Sequence, residues 1–469
     1  MNIILKYFDL RDLSEIHREI LAGCVTFFTM SYIIFLQPAV LSGSMFNTST
    51  GMNAASIAAA TIFASFLASV LMGLFARLPV ALAPGMGENF FFVLTVIPAA
   101  AAVNPEKGWQ IALGTVFVSG VLFFILSAFG GRRWILEAVS SGQRHAIASG
   151  IGLFIALIGL RNGSVISLSQ TGLSLNPEIY GPDAFLFFVG LFFAAALHAR
   201  KIPGSLLLGI IITTVSAVSL KFALPHFIDT VHTGVIHKSD LFSKFQMPSS
   251  VFSMPGLDFS TFFALDISGA LTVQMFPYIF IFLFMMSFDA TGTLIAVGER
   301  AGLMKDGKLP GMKQAFLCDA GGTILGALFG TSTVTAYIES TAGVEQGGRS
   351  GITAITAGLL FLLALFVEPI VQLIGGYAPL TAPVLVIVGS MMMQSIREID
   401  WSDITEGIPA FLVITGIPFT YSISDGIALG LLSYPVIKIL SGKSKELNAP
   451  MVAAGLITFG YLFFLRPAI

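Results

Sequence analysis

The sequence predicts an all-α integral membrane protein with about fourteen transmembrane spans, arranged as a 7+7 inverted repeat. Three observations support this prediction: the composition, the spacing of the apolar runs, and two interrupted segments at matching places in the two halves. Of the 469 residues, 55% are hydrophobic and 11% are charged, and the mean hydropathy is +0.88. Soluble domains carry roughly 25% charged residues, so the chain is a membrane protein.

Apolar runs recur along the whole length, and most have the roughly 17–25 residues that an α-helix needs to cross a bilayer. One run, 402–440, holds two short apolar pieces around PFTYSISDG and fits either one broken span or a hairpin. The candidate spans are 21–42, 54–75, 79–98, 109–129, 137–160, 183–199, 203–223, 270–298, 311–329, 331–346, 350–374, 377–396, 402–440 and 449–465.

The two halves of the chain repeat the same order of segments. Each has two full spans, an interrupted third, a Gly-rich fourth and three more. Because each repeat holds an odd number of spans, the second must be inverted relative to the first. The interruptions are 78–92 (LPVALAPGMGENFFF) and 330–348 (GTSTVTAYIESTAGVEQGG). Irregular backbone at membrane depth must be buried or line a wet cavity, and paired interruptions point to a transporter's binding site.

The basic residues predict the orientation. A cytoplasmic N-terminus (1–20) puts most Lys and Arg of the short loops before residue 400 on the cytoplasmic side, as the positive-inside rule requires. We therefore expect a multi-pass protein of the cell membrane. The net charge of −2 gives no reason to expect nucleic acid as a partner. The two cysteines, Cys24 and Cys318, lie in apolar segments and suggest neither a disulfide nor a metal site.

Four acids lie inside the predicted spans: Glu88, Asp289, Asp319 and Glu339. Intramembrane acids are costly and functional by default, although each could instead be a structural carboxylate that holds a chain break together. A carboxylate removed from water favours its protonated form and could exchange a proton during transport. Thr293 lies four residues after Asp289, on the same helical face.

The residues near these acids indicate the chemistry of a ligand. Carboxylates and hydroxyls accept N–H donors, and the aromatic residues Phe90, Phe91, Phe92 and Tyr337 could sandwich a flat ring. If 83–87 and 331–335 are extended, the helices that follow them direct free backbone N–H groups at the ligand. A flat, uncharged heterocycle with both donors and acceptors, such as a nucleobase, fits this site.

Four motifs resemble the nucleobase–cation symporter family 2, or nucleobase–ascorbate transporters, in the hypoxanthine/adenine/guanine permease branch. They are TFFTMSYIIFLQPAVL, LPVALAPGMGENFFF, SFDATGTLIAVG and TAYIESTAGVEQGGRSG. The resemblance implies short extended segments in spans 3 and 10, and a core domain and a gate domain. The implied parts are a cytoplasmic N-terminus 1–20, core 21–130 (spans 1–4), gate 131–225 (spans 5–7), extracytoplasmic loop 226–268, core 269–375 (spans 8–11) and gate 376–469 (spans 12–14).

The resemblance also implies roles for residues. Glu339 would hydrogen-bond the base, Asp289 would act in binding and proton coupling, and Asp319 would be structural or coupling. The residues implied to bind substrate are Glu339, Asp289, Gln37, Phe90, Asn89, Tyr337 and Thr293, and those implied to couple protons are Asp289, Glu339 and Asp319. Branch members usually read GMGLNAFF where this chain has GMGENFFF, and Asn where it has Gln37. These departures leave the preferred base open.

The expected function is import of purine bases (adenine, guanine or hypoxanthine) by a secondary transporter, without a cofactor and with H⁺ as the coupling ion. Sodium coupling, uracil or xanthine as substrate, and a homodimer formed through the gate domain remain open. An anion carrier of the same fold is disfavoured because the predicted site is acidic. A membrane enzyme is disfavoured because no His lies in the site segments. A channel is disfavoured because two unlike broken spans favour rocking about one site.

Overall fold

The structure is a computed structural model that describes residues 2–465 except 9, 47, 130–138, 170–171, 228–238, 249, 251, 253–257 and 306–307. The predicted core–gate boundary at 130/131 and much of the predicted loop 226–268 lie outside the described residues. Within the described part, ten helices are long and apolar enough to cross a membrane. The chain is therefore a multi-pass membrane protein.

The described residues of the first half form seven spans. Spans 1 and 3 are broken: span 1 bends at Ser31 and Tyr32, and span 3 begins as the strand β1 (Leu82–Pro84) before it becomes helical. The bounds are Leu13–Met30 with Ile33–Leu41 (span 1), Ala54–Leu71 continued by Met72–Ala76 (span 2), β1 with Met86–Phe91, Phe92–Val96 and Ile97–Val103 (span 3), Gly108–Phe129 (span 4), Ser141–Asn162 (span 5), Pro182–Ala199 (span 6) and Ser205–Phe227 (span 7). A hairpin of β2 (Ile166–Ser169) and β3 (Gly172–Leu175) joins spans 5 and 6.

The second half repeats this order, and its broken third element holds the strand β4 (Val334–Ala336). The bounds are Phe276–Arg300 (span 8), Met312–Phe329 (span 9), β4 with Ser340–Glu345 (span 10), Gly351–Leu363 with Ala364–Val367 and Glu368–Gly375 (span 11), Ala382–Met392 with Met393–Glu398 (span 12), Ile404–Thr420 (span 13) and Ile423–Leu440 (span 14). Short helices are Asn2–Tyr7, Ser44–Phe46, Pro105–Lys107, Asp240–Ser243, Ile267–Ala270, Ala378–Leu380 and Ser444–Glu446.

Segment 402–440 is a helical hairpin, which settles the choice that its sequence left open. Helix Ile404–Thr420 ends at Tyr421, whose φ of 52° is left-handed, and Ser422 caps the returning helix Ile423–Leu440. The hairpin supplies spans 13 and 14. The last apolar run, predicted at 449–465, forms a further helix, Ala449–Gly460 continued by Tyr461–Leu465, that packs on span 14. There the Tyr461 hydroxyl donates to Asp425 Oδ1 over 3.0 Å.

The base of this hairpin is held by buried charge. The side chain of Lys438 is only 1% exposed, and its Nζ lies 3.1 Å from Glu406 Oε1 and 2.6 Å from Glu446 Oε2. Asp403 lies 2.7 Å from Lys443 Nζ. Hydrogen bonds from Lys443 and Thr405 hold the pKa of Asp403 well below its usual value. Lysine and acid side chains therefore tie the two ends of the hairpin together.

The two halves meet at a short antiparallel ribbon. β1 pairs with β4 in the register Leu82 with Ala336, Ala83 with Thr335, and Pro84 with Val334. The structure confirms the short extended segments in spans 3 and 10. The strands are slightly displaced from the predicted ranges, because helix Met86–Phe91 already begins after Gly85 and β4 extends to Ala336.

The outer edges of this ribbon bond to side chains of spans 2 and 9. Ser69 Oγ accepts from Leu82 N over 2.9 Å and donates to Leu82 O over 3.1 Å. Thr323 Oγ1 accepts from Val334 N over 3.2 Å and donates to Val334 O over 2.9 Å. Backbone at membrane depth needs such internal partners. Spans 2 and 9 are counterparts in the two repeats. Each repeat therefore uses a hydroxyl of its second span to hydrogen-bond the backbone N–H and C=O of the first strand residue.

Candidate functional site

A cavity of about 470 Å³ lies beside the β1–β4 ribbon. Its walls come from spans 3, 8 and 10 on one side and spans 5 and 12 on the other. The resemblance assigns the first group to the core domain and the second to the gate domain. The lining residues are Gly87, Glu88, Arg144, His145, Ile147, Ala148, Ile151, Phe284, Met285, Phe288, Asp289, Thr291, Gly292, Thr293, Ile338, Met392 and Ser395.

Span 8 presents polar side chains to this cavity. Asp289 and Thr293 both line it, as their spacing of one helical turn allows. Asp289 is exposed while the residues before and after it on the helix are largely buried, so its carboxylate faces the open space. The Thr335 hydroxyl of β4 lies beside the same carboxylate. A ligand in the cavity would therefore meet a carboxylate and a hydroxyl on one helical face.

Span 3 brings a second acid to the cavity. Glu88 lies in the first turn of helix Met86–Phe91 and lines the cavity together with Gly87. Its side chain is only 3% exposed. Among the described residues, neither Glu88 nor Asp289 has an ion-pair partner within 4 Å. The cavity thus carries two carboxylates without a neutralising cation in contact.

The remaining wall is largely apolar and aromatic. Phe284, Met285 and Phe288 come from span 8 and Ile151 from span 5. The Phe284 and Phe288 rings meet edge to face, with centroids 4.3 Å apart. The Arg144 guanidinium lies 5.2 Å from the centre of the Phe288 ring. Apolar walls with a few polar groups are typical of small-molecule sites, and a volume of this size falls in their usual range of roughly 300–1,000 Å³.

Glu339 lies near the cavity but does not line it. Its Oε1 accepts a 2.7 Å hydrogen bond from the Tyr32 hydroxyl, at the bend of span 1. The preceding residue, Ile338, does line the cavity. Tyr337 is also outside the lining, and its hydroxyl donates to Pro84 O over 2.5 Å across the ribbon. In this conformation Glu339 is hydrogen-bonded to span 1 and Tyr337 to β1.

Gln37 and Asn89 form a buried polar cluster away from the cavity lining. Gln37 Nε2 donates to Thr331 Oγ1 over 2.8 Å and to Asn89 Oδ1 over 3.1 Å. Asn89 Nδ2 donates back to Gln37 Oε1, and the Ser332 hydroxyl donates to Asn89 Oδ1. All four side chains are buried. The cluster joins spans 1, 3 and 10.

The other two predicted residues are also buried away from the cavity. Asp319 Oδ1 accepts from Ala336 N over 2.8 Å, while its Oδ2 has no hydrogen-bond partner among the described residues. Phe90 is fully buried and packs edge to face on Phe46 and Phe154, with ring centroids 5.7 and 6.5 Å apart. The structure thus brings Asp289 and Thr293 to the cavity with Glu88. It places Gln37, Asn89, Phe90, Asp319, Tyr337 and Glu339 outside the cavity lining.

Sequence reasoning missed the cavity wall from spans 5 and 12, including Arg144 and His145, and three residues that hold the strands and Glu339. Ser69 and Thr323 hold the ribbon edges, and Tyr32 holds Glu339. Ser69 and Thr323 are ordinary small hydroxyls inside apolar helices, so neither carries a signal by itself. Their matching places in spans 2 and 9 would have been informative only after the repeats had been aligned.

Comparison with known proteins identifies the class. Residues 17–429 match the model of the Permease family of xanthine/uracil permeases. The chain belongs to this family. It is 38% identical over 454 residues to the guanine/hypoxanthine permease PbuO of Bacillus subtilis, covering 97% of each chain. It is 37% identical over 440 residues to the adenine permease AdeQ of Escherichia coli, covering 94% of this chain and 91% of that one. This permease belongs to a family of transporters, not of enzymes.

Solved structures show the same fold at low sequence identity. The transmembrane domain of the cyanobacterial bicarbonate transporter BicA aligns with a TM-score of 0.60 at 14% identity, covering 90% of this chain and 98% of that one. Murine Slc26a9, an anion transporter, aligns with a TM-score of 0.60 at 12% identity, covering 92% of this chain and 70% of that one. These likenesses confirm the 7+7 inverted-repeat fold.

Proposed function

We propose that this permease imports purine nucleobases across the cell membrane together with protons. The cavity between spans 3, 8 and 10 and spans 5 and 12 would hold the base. The N-terminus would lie in the cytoplasm, so the cavity end at Arg144 would face the cytoplasm. The observation that carries the proposal is the pairing of carboxylates with aromatic walls in one cavity.

The chemistry of the cavity suits a flat ring that donates N–H groups. Carboxylates are strong hydrogen-bond acceptors, and aromatic residues such as Phe284 and Phe288 favour packing against a planar ring. Two acids that have no ion-pair partner among the described residues would repel an anion. These features separate the proposed substrate from the anions carried by proteins of the same fold. The names of PbuO and AdeQ support a purine base.

Asp289 is the acid that the geometry favours for coupling. It faces the cavity, where water and a ligand can reach it, whereas Glu339 is engaged by Tyr32 and Asp319 by a backbone N–H. A proton on Asp289 would lower the repulsion between it and Glu88 and remove charge from the moving part of the protein. In this scheme the loaded and protonated core moves relative to the gate.

The test is uptake in cells that lack their own purine carriers. Labelled adenine, guanine, hypoxanthine and uracil would be measured with and without a protonophore. We expect wild type to concentrate at least one purine in a protonophore-sensitive manner. Asp289→Asn should accumulate the purine to a level at least about tenfold lower, because the substitution removes a charged hydrogen-bond partner. Asp400→Asn, in the exposed loop before span 13, is the matched control.

Each outcome has a separate meaning. Wild type without uptake of any purine would contradict the proposed substrate class, and uptake of uracil alone would reassign it to pyrimidines. Purine accumulation by Asp289→Asn with unchanged protonophore sensitivity would show that Asp289 is not the coupling acid. Accumulation that depends on a sodium gradient and ignores the protonophore would replace H⁺ by Na⁺.

A further inference from the structure

Glu88 occupies an unusual position for an acid. It is buried at the start of the helical part of span 3, and it lines the ligand cavity. Burial of a carboxylate is costly unless it is paired or hydrogen-bonded. The described residues provide no ion pair for it within 4 Å, although Arg144 and His145 line the same cavity. The carboxylate therefore needs another explanation.

Helix capping does not provide that explanation. Glu88 is the third residue of a helix whose N-cap is Gly85, which is the position from which a glutamate can accept the N-cap N–H. Its side chain does fold back toward Gly85, since a Cβ added there would lie 2.3 Å from Glu88 Oε2. However, Gly85 N already donates to Thr333 O over 3.1 Å. The usual partner of a capping glutamate is thus occupied.

The carboxylate keeps free hydrogen-bonding capacity. It lies beside the backbone N–H of its own residue, but its two oxygens offer more acceptor sites than this one contact fills. Glu88 on span 3 and Asp289 on span 8 line the same side of the cavity from two different spans. A ligand between the two spans would meet acceptors from both.

We propose, building on the proposed function, that Glu88 binds the amino-bearing edge of an aminopurine and sets the preference for guanine over hypoxanthine. Guanine carries the N1–H and the 2-amino group side by side, and these two donors match the two oxygens of one carboxylate. Hypoxanthine has the N1–H but lacks the amino group. Asp289 would accept the imidazole N–H, which both bases have.

The experiment measures inhibition of labelled guanine uptake by unlabelled guanine and hypoxanthine. In wild type, guanine should inhibit at a concentration about tenfold lower than hypoxanthine, as one further charged hydrogen bond requires. Glu88→Gln keeps the shape and replaces one acceptor oxygen by an amide NH₂, so this ratio should fall close to one. Glu299→Gln, an exposed acid at the far end of span 8, should keep the wild-type ratio.

The outcomes separate this inference from the proposed function. A wild type that takes up no purine would overturn both. Purine uptake with an unchanged guanine-to-hypoxanthine ratio in Glu88→Gln, or a wild type that prefers hypoxanthine, would overturn the role of Glu88 alone. If Glu88→Gln does not reach the membrane, wild type is tested with 1-methylguanine, which lacks the N1–H. Inhibition as strong as that by guanine would then overturn the inference.

Discussion

At the scale of single residues, the two repeats make matching hydrogen bonds to β1 and β4 except at one position. The hydroxyls of Ser69 and Thr323 accept hydrogen bonds from the backbone N–H of the first residue of β1 and of β4, respectively. Four residues earlier on the same helices stand Ser65 and Asp319. Asp319 accepts the N–H of Ala336, the third residue of β4. The third residue of β1 is Pro84, which has no N–H, so span 2 needs no acceptor there.

This asymmetry gives Asp319 a structural role that can be tested. Asp319→Ala should leave the Ala336 N–H buried without a partner, at a cost of about 1–3 kcal/mol. Asp319→Asn keeps an acceptor oxygen and should cost less. Ser65→Ala is the matched control, because Ser65 Oγ has no hydrogen-bond partner in the part of the chain that the structure describes. The measurement is thermal unfolding of the purified protein in detergent.

The opposite pattern would contradict the structural role. If Asp319→Ala unfolds at the wild-type temperature but loses proton-coupled uptake, Asp319 acts in coupling, as the family resemblance also allows. If Ser65→Ala destabilises as much as Asp319→Ala, the missing N–H of Pro84 is not the reason for the difference.

At the scale of elements, glycine permits spans 2 and 11 to touch backbone to backbone. A Cβ on Gly351 would lie 1.9 Å from Gly73 O, and a Cβ on Gly73 would lie 2.4 Å from Gly351 O. Small residues at helix contacts allow such close approach in membranes. The start of span 11 is fixed further by Glu19, whose Oε1 accepts from Arg349 N over 2.8 Å and from Ser350 N over 3.1 Å.

This contact predicts a large difference between two glycine substitutions. Gly351→Ala should destabilise the protein by roughly 1–3 kcal/mol or more, because the added methyl group forces two helices apart. Gly321→Ala in span 9 should be neutral or stabilising, since no atom of the described residues lies within 4 Å of its added Cβ and alanine favours helix. Yield and thermal unfolding in detergent measure both. Equal behaviour of the two variants would refute the close contact.

At the scale of the whole molecule, the hairpin of spans 13 and 14 decides the topology of the C-terminal part. It brings residues 402 and 441 to one end and residue 420 to the other. The lysines at 438, 443 and 445 then lie at the same end as the start of span 13. With the proposed orientation this end is cytoplasmic, in agreement with the positive-inside rule.

Labelling of single cysteines tests this topology. In a background without Cys24 and Cys318, Ser402→Cys and Ser441→Cys should react with an impermeant maleimide only after the cytoplasmic face is opened. Thr420→Cys should react in intact cells, because it is exposed at the opposite turn. Reaction of Ser402→Cys and Ser441→Cys from opposite sides would indicate one broken span instead of a hairpin.

The sequence alone determined the class of this protein. Its apolar runs, its paired interruptions and its motifs predicted a membrane protein with an inverted repeat of permease type. These features are visible in sequence because the bilayer imposes a length and a composition on every span. The same constraint marked Asp289 and Glu88 as intramembrane acids, and the helical period placed Thr293 beside Asp289.

Only the tertiary structure decided how these residues are grouped. It showed that Glu88 and Asp289 line one cavity and that Gln37 is hydrogen-bonded to Asn89. It also showed that Tyr32 donates to Glu339 and that Ser69 and Thr323 hydrogen-bond the outer edges of the ribbon. It also resolved 402–440 into a hairpin. These contacts join residues as much as 307 positions apart in the chain. Neither hydropathy nor helical period specifies such partners, because both describe neighbours along one segment.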